Sequence, residues 1–323
     1  MRENQDFLKL ENVHVNFHLR AGVLPAVQGA NLIMKRGDTL GIVGESGSGK
    51  SVMSKEIIRL NPSPPAKTEG KVIFEGIDMV SLTNRQLYGI RGAKISMIFQ
   101  EPMTSLNPVF TIGTQMAAGL RTHLKLSKVE AVERSAEMLD KVGIPSAGER
   151  LRQYPHEFSG GMRQRVMIAM ALSCDPTLLI ADEPTTALDV TIQDQILELL
   201  ADSVKNRDMS MILISHDLYV VADTCDSIIV MYAGRQVETG PTREVFQNPA
   251  HPYTQGLKDS QPAISGVRAE YLKPIKGMVP NMLAVPEGCA FHPRCQYAEE
   301  ICRKEVPTLQ NRGSNRSIAC HVM

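Results

Sequence analysis

The fold is decided by the stretch Gly44-Glu45-Ser46-Gly47-Ser48-Gly49-Lys50-Ser51, which fits the pattern GxxxxGK(S/T) of a loop that wraps the phosphates of a nucleotide. The apolar run 39–43 before this loop predicts a buried strand, and residues 51–60 after it predict a helix that stops at Asn61-Pro62. Glycine at 44, 47 and 49 permits backbone conformations that are closed to other residues, so successive N–H groups can point at the phosphates. Strand, loop and helix thus follow in the order that a nucleotide site requires.

Two side chains of this loop carry chemistry of their own. Lys50 is expected to neutralise the β- and γ-phosphates, and Ser51 is expected to place its hydroxyl on Mg²⁺. The alternative is a glycine-rich turn that fits the pattern by chance. The complete match between a strand and a helix argues against that alternative, so the rest of the chain is expected to serve a nucleotide.

Composition excludes several other classes of protein. The chain has 323 residues, with 35 Lys and Arg against 35 Asp and Glu, so no excess of charge draws it to nucleic acid or anionic lipid. The first ten residues lack the apolar core of a signal peptide, and no apolar run approaches the roughly 18 residues that cross a bilayer. These features predict a protein that is made and kept in the cytoplasm.

Strand signals surround the loop. Residues 8–17 alternate between apolar and polar side chains, and 30–34 and 71–76 are similar short runs that end at turns. Together they predict a small antiparallel β layer beside the sheet that carries the loop. Residues 227–232 and 234–238 predict a closing hairpin.

The segment from about residue 101 to 160 has the period of helices rather than strands. One of its helices is expected to begin at a capping box formed by Ser127 and Glu130. The apolar face of this helix is expected to consist of Val129, Val132, Ala136 and Leu139.

Polar residues also stand at the ends of three predicted elements. Ser159-Gly160-Gly161 precedes a helix whose first N–H groups suit an anion. The buried run 177–181 ends in Asp182-Glu183, at the end of a strand where α/β sheets bind ligands, and a further buried run ends at His216. A single histidine or an acidic pair after a strand is more often structural, so the order of the motifs has to decide.

Taken in chain order, the motifs are the loop 44–51, Gln100, Ser159-Gly160-Gly161, 178–183, Ala187-Leu188-Asp189 and His216. This series resembles the ATP-binding subunit of an ABC transporter, over roughly residues 8–245. The stretches 100–108, 158–165 and 251–255 resemble the subfamily that powers bacterial oligopeptide and dipeptide importers, which nickel importers share.

The resemblance implies an α/β fold of the P-loop NTPase type. Its parts are a RecA-like core, an antiparallel β subdomain and a helical subdomain at about 101–160. Prolines become frequent from Pro249, which predicts an ATPase domain at 1–248 and a small cysteine-containing extension at 249–323.

The resemblance also assigns roles to individual residues. Two such domains would form a head-to-tail dimer, with ATP between the loop of one and Ser159-Gly160-Gly161 of the other. Ser51 and Asp182 would hold Mg²⁺, and Gln100 would contact Mg²⁺ or the attacking water. Glu183 would act as general base or would position the water for in-line attack on the γ-phosphate.

Four further assignments follow from the same resemblance. His216 would contact the γ-phosphate, Asp189 would lie at the dimer seam, and Gln100 would report the nucleotide state to the membrane subunits. Phe17 is the candidate for stacking on adenine. Met162 stands where many ABC signatures have Gln, and the site is expected to work because Ser159 and backbone groups bind the phosphate.

The resemblance implies the function of an ATP-hydrolysing subunit, on the cytoplasmic side of the membrane, that drives peptide import. Its partners would be two transmembrane permease subunits, an extracytoplasmic solute-binding protein and a second related ATPase chain, or else an identical copy. Nickel or another small solute is the alternative cargo. A soluble ABC ATPase that acts on DNA or ribosomes is disfavoured because the chain has one ATPase domain and no heptad run.

Four of the six cysteines crowd the end of the chain, at Cys289, Cys295, Cys302 and Cys320. A disulfide framework is disfavoured in a cytosolic chain, and the spacing lacks the tight pair that is usual in Cys₄ zinc sites. Ordinary reduced cysteines and a [4Fe–4S] cluster remain. The resemblance favours the cluster, in a structural or sensing role that the ATPase chemistry does not need directly.

Overall fold

A computed structural model describes residues 6–101, 105–185, 190–207, 209–261, 273–313 and 315–323. The chain divides into two compact units, one of residues 1–81 with 213–323 and the other of residues 82–212. The strands are β1 (Leu8–Leu19), β2 (Gly22–Met34), β3 (Thr39–Val43), β4 (Ala66–Phe74), β5 (Ile77–Asp78), β6 (Ile95–Ile98), β7 (Leu178–Asp182), β8 (Ser210–Ser215), β9 (Ser227–Tyr232), β10 (Arg235–Pro241), β11 (Gln310–Asn311) and β12 (Ser317–Ile318).

The helices are α1 (Lys50–Ile57), α2 (Asn84–Tyr88), α3 (Ile112–His123), α4 (Lys128–Lys141), α5 (Ala147–Arg150), α6 (Gly160–Leu172), α7 (Val190–Arg207), α8 (Leu218–Thr224), α9 (Thr242–Gln247), α10 (Pro252–Asp259) and α11 (Glu300–Lys304). Short 3₁₀ turns occur at Met79–Ser81, Pro155–Glu157 and His292–Arg294. The division between the two units falls within β8.

An antiparallel sheet in the order β2–β1–β4–β5 forms one layer of the first unit. In β1 the residues Leu8, Leu10, Val13 and Val15 are buried, so the apolar side of the strand faces the core. Leu8 lies opposite Met34 of β2 and also opposite Phe74 of β4. The predicted β layer is therefore confirmed, with strands longer than the sequence pattern suggested.

A second sheet in this unit carries the phosphate-loop strand. β3 is buried along its whole length and pairs in parallel with β9, which pairs antiparallel with β10. The two-residue strand β12 joins the free side of β10 through Glu238 opposite Ile318, and β11 follows β12. The end of the chain thus extends the same sheet that leads into the loop at 44–51.

A buried ion pair ties this end of the chain in place. The Glu238 carboxylate is fully buried, and it accepts a hydrogen bond from Arg316 Nε at 3.1 Å. The backbone N–H groups of Ala250 and His251 donate to the same carboxylate at 3.0 Å each. A buried charge is tolerated only with such partners, so these contacts join the strand, the segment before α10 and the chain end.

In the second unit, β6 and β7 pair in parallel, with Ile95 opposite Leu178. Helix α4 begins at the predicted capping box, because the Ser127 side chain accepts from the Glu130 N–H while the Glu130 carboxylate accepts from the Ser127 N–H. Its buried residues are Ala131, Ser135, Met138 and Leu139.

The predicted face of α4 was wrong at two positions, since Val129 is 67% exposed and Val132 is 41% exposed. The small residues Ala131 and Ser135 take buried positions instead, and Ala131 packs in one cluster with Ala117 and Leu120 of α3. The hydroxyl of Ser135 is satisfied by the Ala131 carbonyl at 2.6 Å, so this polar side chain can be buried.

Candidate nucleotide site

The loop between β3 and α1 has the backbone that the glycine pattern predicted. Gly44 and Gly49 have φ of 153° and 100°, where other residues are strained. A Cβ on Gly44 would lie 2.3 Å from the carbonyl oxygen of Met231, and one on Gly49 would lie 2.3 Å from that of Ala26. Only glycine fits these two positions, so the shape of the loop is set by its sequence.

Three features suit this loop to phosphate groups. Lys50 is 4% exposed, and its Nζ donates to the carbonyls of Gly44 at 2.7 Å and Glu45 at 3.0 Å, which places the ammonium group against the loop. Helix α1 starts at Gly49 without a capping side chain, so its first N–H groups remain suited to an anion. The buried Ser48 Oγ has no hydrogen-bond partner among the described residues, as suits a group that meets a ligand oxygen.

Glu45, the second residue of the loop, is held by two residues from far along the chain. Its N–H donates to the Tyr253 hydroxyl at 2.7 Å. Its carboxylate accepts two hydrogen bonds from Arg294, Nη1 to Oε2 at 2.6 Å and Nη2 to Oε1 at 3.0 Å. These bonds to Glu45 raise the pKa of Arg294, and burial raises the pKa of Tyr253.

Asp182 and Glu183 lie in the second unit, at the end of β7. Asp182 is 2% exposed, and Glu183 follows it in the left-handed region with φ of 47°. Gln100 Nε2 donates to Glu183 Oε2 at 3.0 Å. The structure therefore brings together the predicted catalytic carboxylate and the predicted glutamine, which are 83 residues apart in the chain.

Helix α6 supports the turn that carries Glu183. The buried Gln164 of this helix donates from Nε2 to the carbonyl of Pro184 at 2.5 Å. At the start of α6, Ser159 Oγ accepts from the N–H of Met162 at 3.3 Å. Met162 thus contributes its backbone to the cap, whatever its side chain. Sequence reasoning missed Gln164, because a polar residue inside a helix gives no signal of its own.

The remaining candidates are placed individually. His216 is exposed after β8, and its carbonyl accepts from Gln261 Nε2 at 2.7 Å. Phe17 is half-buried within β1, opposite Leu24 of β2. Asp189 lies outside the described residues, as do Ala187 and Leu188.

The four clustered cysteines lie near one another in the first unit. The N–H of Cys289 donates to the carbonyl of Cys302 at 2.8 Å. Burial, together with the nearby Cys302, Cys320 and Cys295, raises the pKa of the Cys289 thiol to about 11. Among the described residues, no group of three or more His, Cys, Asp or Glu side chains is arranged to hold a metal ion. The predicted [4Fe–4S] cluster is therefore not confirmed.

Comparison with known sequences decides the family. Residues 27–186 match the family described as "ABC transporter", and residues 237–302 match "Oligopeptide/dipeptide transporter, C-terminal region". The chain belongs to the ABC transporter ATP-binding proteins. The dipeptide transport ATP-binding protein DppD of Bacillus subtilis is 49% identical over 97% of this chain and 93% of its own length. The oligopeptide transport ATP-binding protein OppD of Haemophilus influenzae is 51% identical over 92% of this chain and 91% of its own.

A solved ABC cassette confirms the fold. The dimeric structure of a post-hydrolysis state of the ATP-binding cassette MJ0796, bound to ADP and Pi, has a TM-score of 0.66 and 29% identity. The match covers 73% of this ABC protein and 99% of the cassette. The predicted family, the P-loop NTPase fold and the class of enzyme, an ATPase, are confirmed. At the level of the family, the predicted role of an ATP-hydrolysing subunit in peptide import is confirmed as well.

Proposed function

We propose that this chain binds and hydrolyses ATP to drive the import of peptides. The observation that carries the proposal is the phosphate loop. Its glycine conformations, its buried Lys50 and its Ser48 hydroxyl, which has no hydrogen-bond partner in the described part of the chain, suit a nucleoside triphosphate. The match of residues 237–302 to the oligopeptide and dipeptide C-terminal region supports peptides as the cargo. The names of the relatives, which are dipeptide and oligopeptide transport proteins, support the same cargo.

Within this function, Glu183 takes the proton of the attacking water or orients that water. Gln100 fixes the carboxylate through the 3.0 Å bond, which favours one orientation of Glu183. Ser51, Gln100 and Asp182 are the residues that would hold Mg²⁺, which neutralises charge on the phosphates when bound. Lys50 would bind the β- and γ-phosphates, and Phe17 remains the candidate beside adenine.

The complete site would need two ATPase domains. Ser159-Gly160-Gly161 of one domain would close over the loop 44–51 of the other, with Asp189 at the seam and His216 at the γ-phosphate. The helix start at Ser159 supports this role, because the N–H groups of Gly160 and Gly161 lie in the first turn of α6. We favour a second related chain over an identical copy as the partner.

The chain would work with two permease subunits and an extracytoplasmic solute-binding protein. No helix in the described part of the chain is both long enough and apolar enough to cross a membrane. We place the chain at the cytoplasmic face of the membrane, bound to the permeases. The ATPase domain would span 1–248 and the extension 249–323.

The extension would carry a [4Fe–4S] cluster on Cys289, Cys295, Cys302 and Cys320. Such a cluster takes one thiolate on each of four irons, so its ligands need not surround a single ion. The hydrogen bond from the N–H of Cys289 to the carbonyl of Cys302, at 2.8 Å, supports the grouping of these two cysteines. Four cysteine thiols are the ligand set that such a cluster takes, and the cluster would staple an extension that has few long apolar runs.

Reconstitution tests the cargo. The chain, its permeases, its partner ATPase and its binding protein would be placed in proteoliposomes, and uptake of labelled dipeptides and longer peptides would be measured with ATP inside and outside. Peptide uptake that requires ATP on the side of this chain is the expected result. ATP-dependent uptake of Ni²⁺ without uptake of any peptide would replace the proposal with the nickel alternative. A complex with the Glu183→Gln variant is the matched control.

A further inference from the structure

The phosphate loop is attached to the C-terminal segment of the chain through one residue, Glu45. Arg294 reaches this carboxylate with both ends of its guanidinium group, at 2.6 Å and 3.0 Å. The hydroxyl of Tyr253 accepts a hydrogen bond from the N–H of the same residue at 2.7 Å. Both partners come from the region matched to the oligopeptide and dipeptide C-terminal family, so this region supplies part of the surroundings of the ATP loop.

The position of Arg294 is fixed from several sides. Its side chain is 5% exposed, whereas that of Glu45 is 26% exposed. Its Nε donates to the carbonyl of Lys276 at 3.0 Å, and its Nη1 donates to the Tyr232 hydroxyl at 3.3 Å. The guanidinium also lies 5.8 Å from the ring centroid of Tyr232 and 5.9 Å from that of Phe291. A planar group held in this way presents a fixed fork to a carboxylate.

Charge gives this contact a consequence for ATP. Glu45 belongs to a loop that receives a polyphosphate, and an unpaired carboxylate there would repel the ligand. The carbonyl of Glu45 also accepts from Lys50 Nζ, the group that would bind the phosphates. Movement of Glu45 would therefore disturb both the local charge and the position of Lys50.

We propose that Arg294 is a positioning residue for ATP, which holds Glu45 and neutralises its carboxylate so that the loop accepts the nucleotide. This inference rests on ATP binding at the loop 44–51 and not on the cargo. Loss of peptide uptake would leave it intact, whereas loss of all nucleotide binding by the wild-type chain would remove its basis.

The test compares variants of the full-length chain. Arg294→Gln removes the charge and the fork, and Arg294→Lys keeps the charge alone. Glu45→Gln combined with Arg294→Gln removes the repelling carboxylate together with its partner. Arg303→Gln makes the same charge change at an exposed arginine of the same extension and is the matched control. Binding of a fluorescent ATP analogue and the KM and kcat of ATP hydrolysis would be measured for each.

Arg294→Gln should weaken nucleotide binding and raise KM by about tenfold, which corresponds to about 1.4 kcal/mol, with little change in kcat. Arg294→Lys should be intermediate. The Glu45→Gln/Arg294→Gln pair should recover most of the affinity, and Arg303→Gln should match the wild type. A merely structural role for Arg294 would instead leave the double variant at least as weak as Arg294→Gln alone.

Ionic strength provides an independent readout. The Debye length falls from about 10 Å at 0.1 M salt to about 3 Å at 1 M salt, so repulsion by an unpaired Glu45 should be screened. The ratio of variant to wild-type Kd should therefore fall severalfold over this range. A wild-type affinity in Arg294→Gln, a defect that the double variant does not relieve, or an equal defect in Arg303→Gln would each overturn the proposal. If Arg294→Gln does not fold, Arg294→Lys carries the comparison of KM, and of its dependence on salt, with the wild type.

Discussion

Gly41 in β3 offers a direct test of how the strand before the phosphate loop is packed. A Cβ at this position would lie 2.0 Å from Cγ1 of Val221 in α8, and 3.1 Å from both Cβ and Cγ2 of the same side chain. Val221 is fully buried, so it cannot swing into solvent to make room. Gly41→Ala should therefore force α8 or β3 to shift and should lower the free energy of unfolding by about 1–3 kcal/mol, as overpacking does.

A double variant separates the clash with Val221 from other effects of the added methyl group on the free energy of unfolding. Val221→Ala removes both Cγ atoms and should itself be destabilising because it leaves a cavity. The Gly41→Ala/Val221→Ala pair should be more stable than the sum of the two single effects predicts, by at least about 1 kcal/mol, since each change makes room for the other. Urea unfolding followed by circular dichroism measures all four proteins. Additive single effects, or a neutral Gly41→Ala, would refute the reasoning from the 2.0 Å approach.

Three further predictions concern the site and the extension. Glu183→Gln should lower ATP hydrolysis by about 10²–10⁴-fold while ATP binding survives, because the base or water-orienting group is lost and the phosphate clamp is kept; steady-state turnover near the wild-type rate would remove Glu183 from that role. Burial lowers the pKa of His251 from 6.5 to about 4, so as the pH falls this imidazole is protonated in the unfolded chain before it is protonated in the folded one. The free energy of unfolding should therefore be highest above about pH 6.5 and should fall by about 3 kcal/mol as the pH drops toward 4. Urea titrations at several pH values should show a smaller fall for His251→Asn. Protein purified without oxygen should contain about four iron atoms per chain and lose them in Cys295→Ser, whereas zinc alone would refute the cluster and a protein without metal would leave ordinary thiols.

Local signals explain what the sequence could predict. Three features depend only on residues that are neighbours in the chain, and each was predicted at its correct position. They are the loop at 44–51, the capping box of Ser127 and Glu130, and the buried strand before Asp182. The predicted buried face of α4 was wrong because hydrophobicity favoured Val129 and Val132, whereas the position that packs with Ala117 and Leu120 of α3 is held by the smaller Ala131. The pairing of β12 with β10 could not be foreseen either, since two-residue strands carry no alternation to read.

The contacts of Glu45 show why the extension could not be understood from its cysteines alone. Tyr253 and Arg294 are 208 and 249 residues from Glu45 in the chain, and neither has a pattern that points to the loop. The sequence suggested a cluster in this extension that the ATPase chemistry does not need directly. Arg294 precedes Cys295, so one of the two residues that contact Glu45 is covalently next to a proposed cluster ligand. A displacement of Cys295 would move the backbone of Arg294, because the two residues are joined by a peptide bond. We therefore expect loss of the cluster from the four cysteines to weaken ATP binding through Arg294. The same loss should weaken ATP binding far less once Glu45 has been replaced by glutamine.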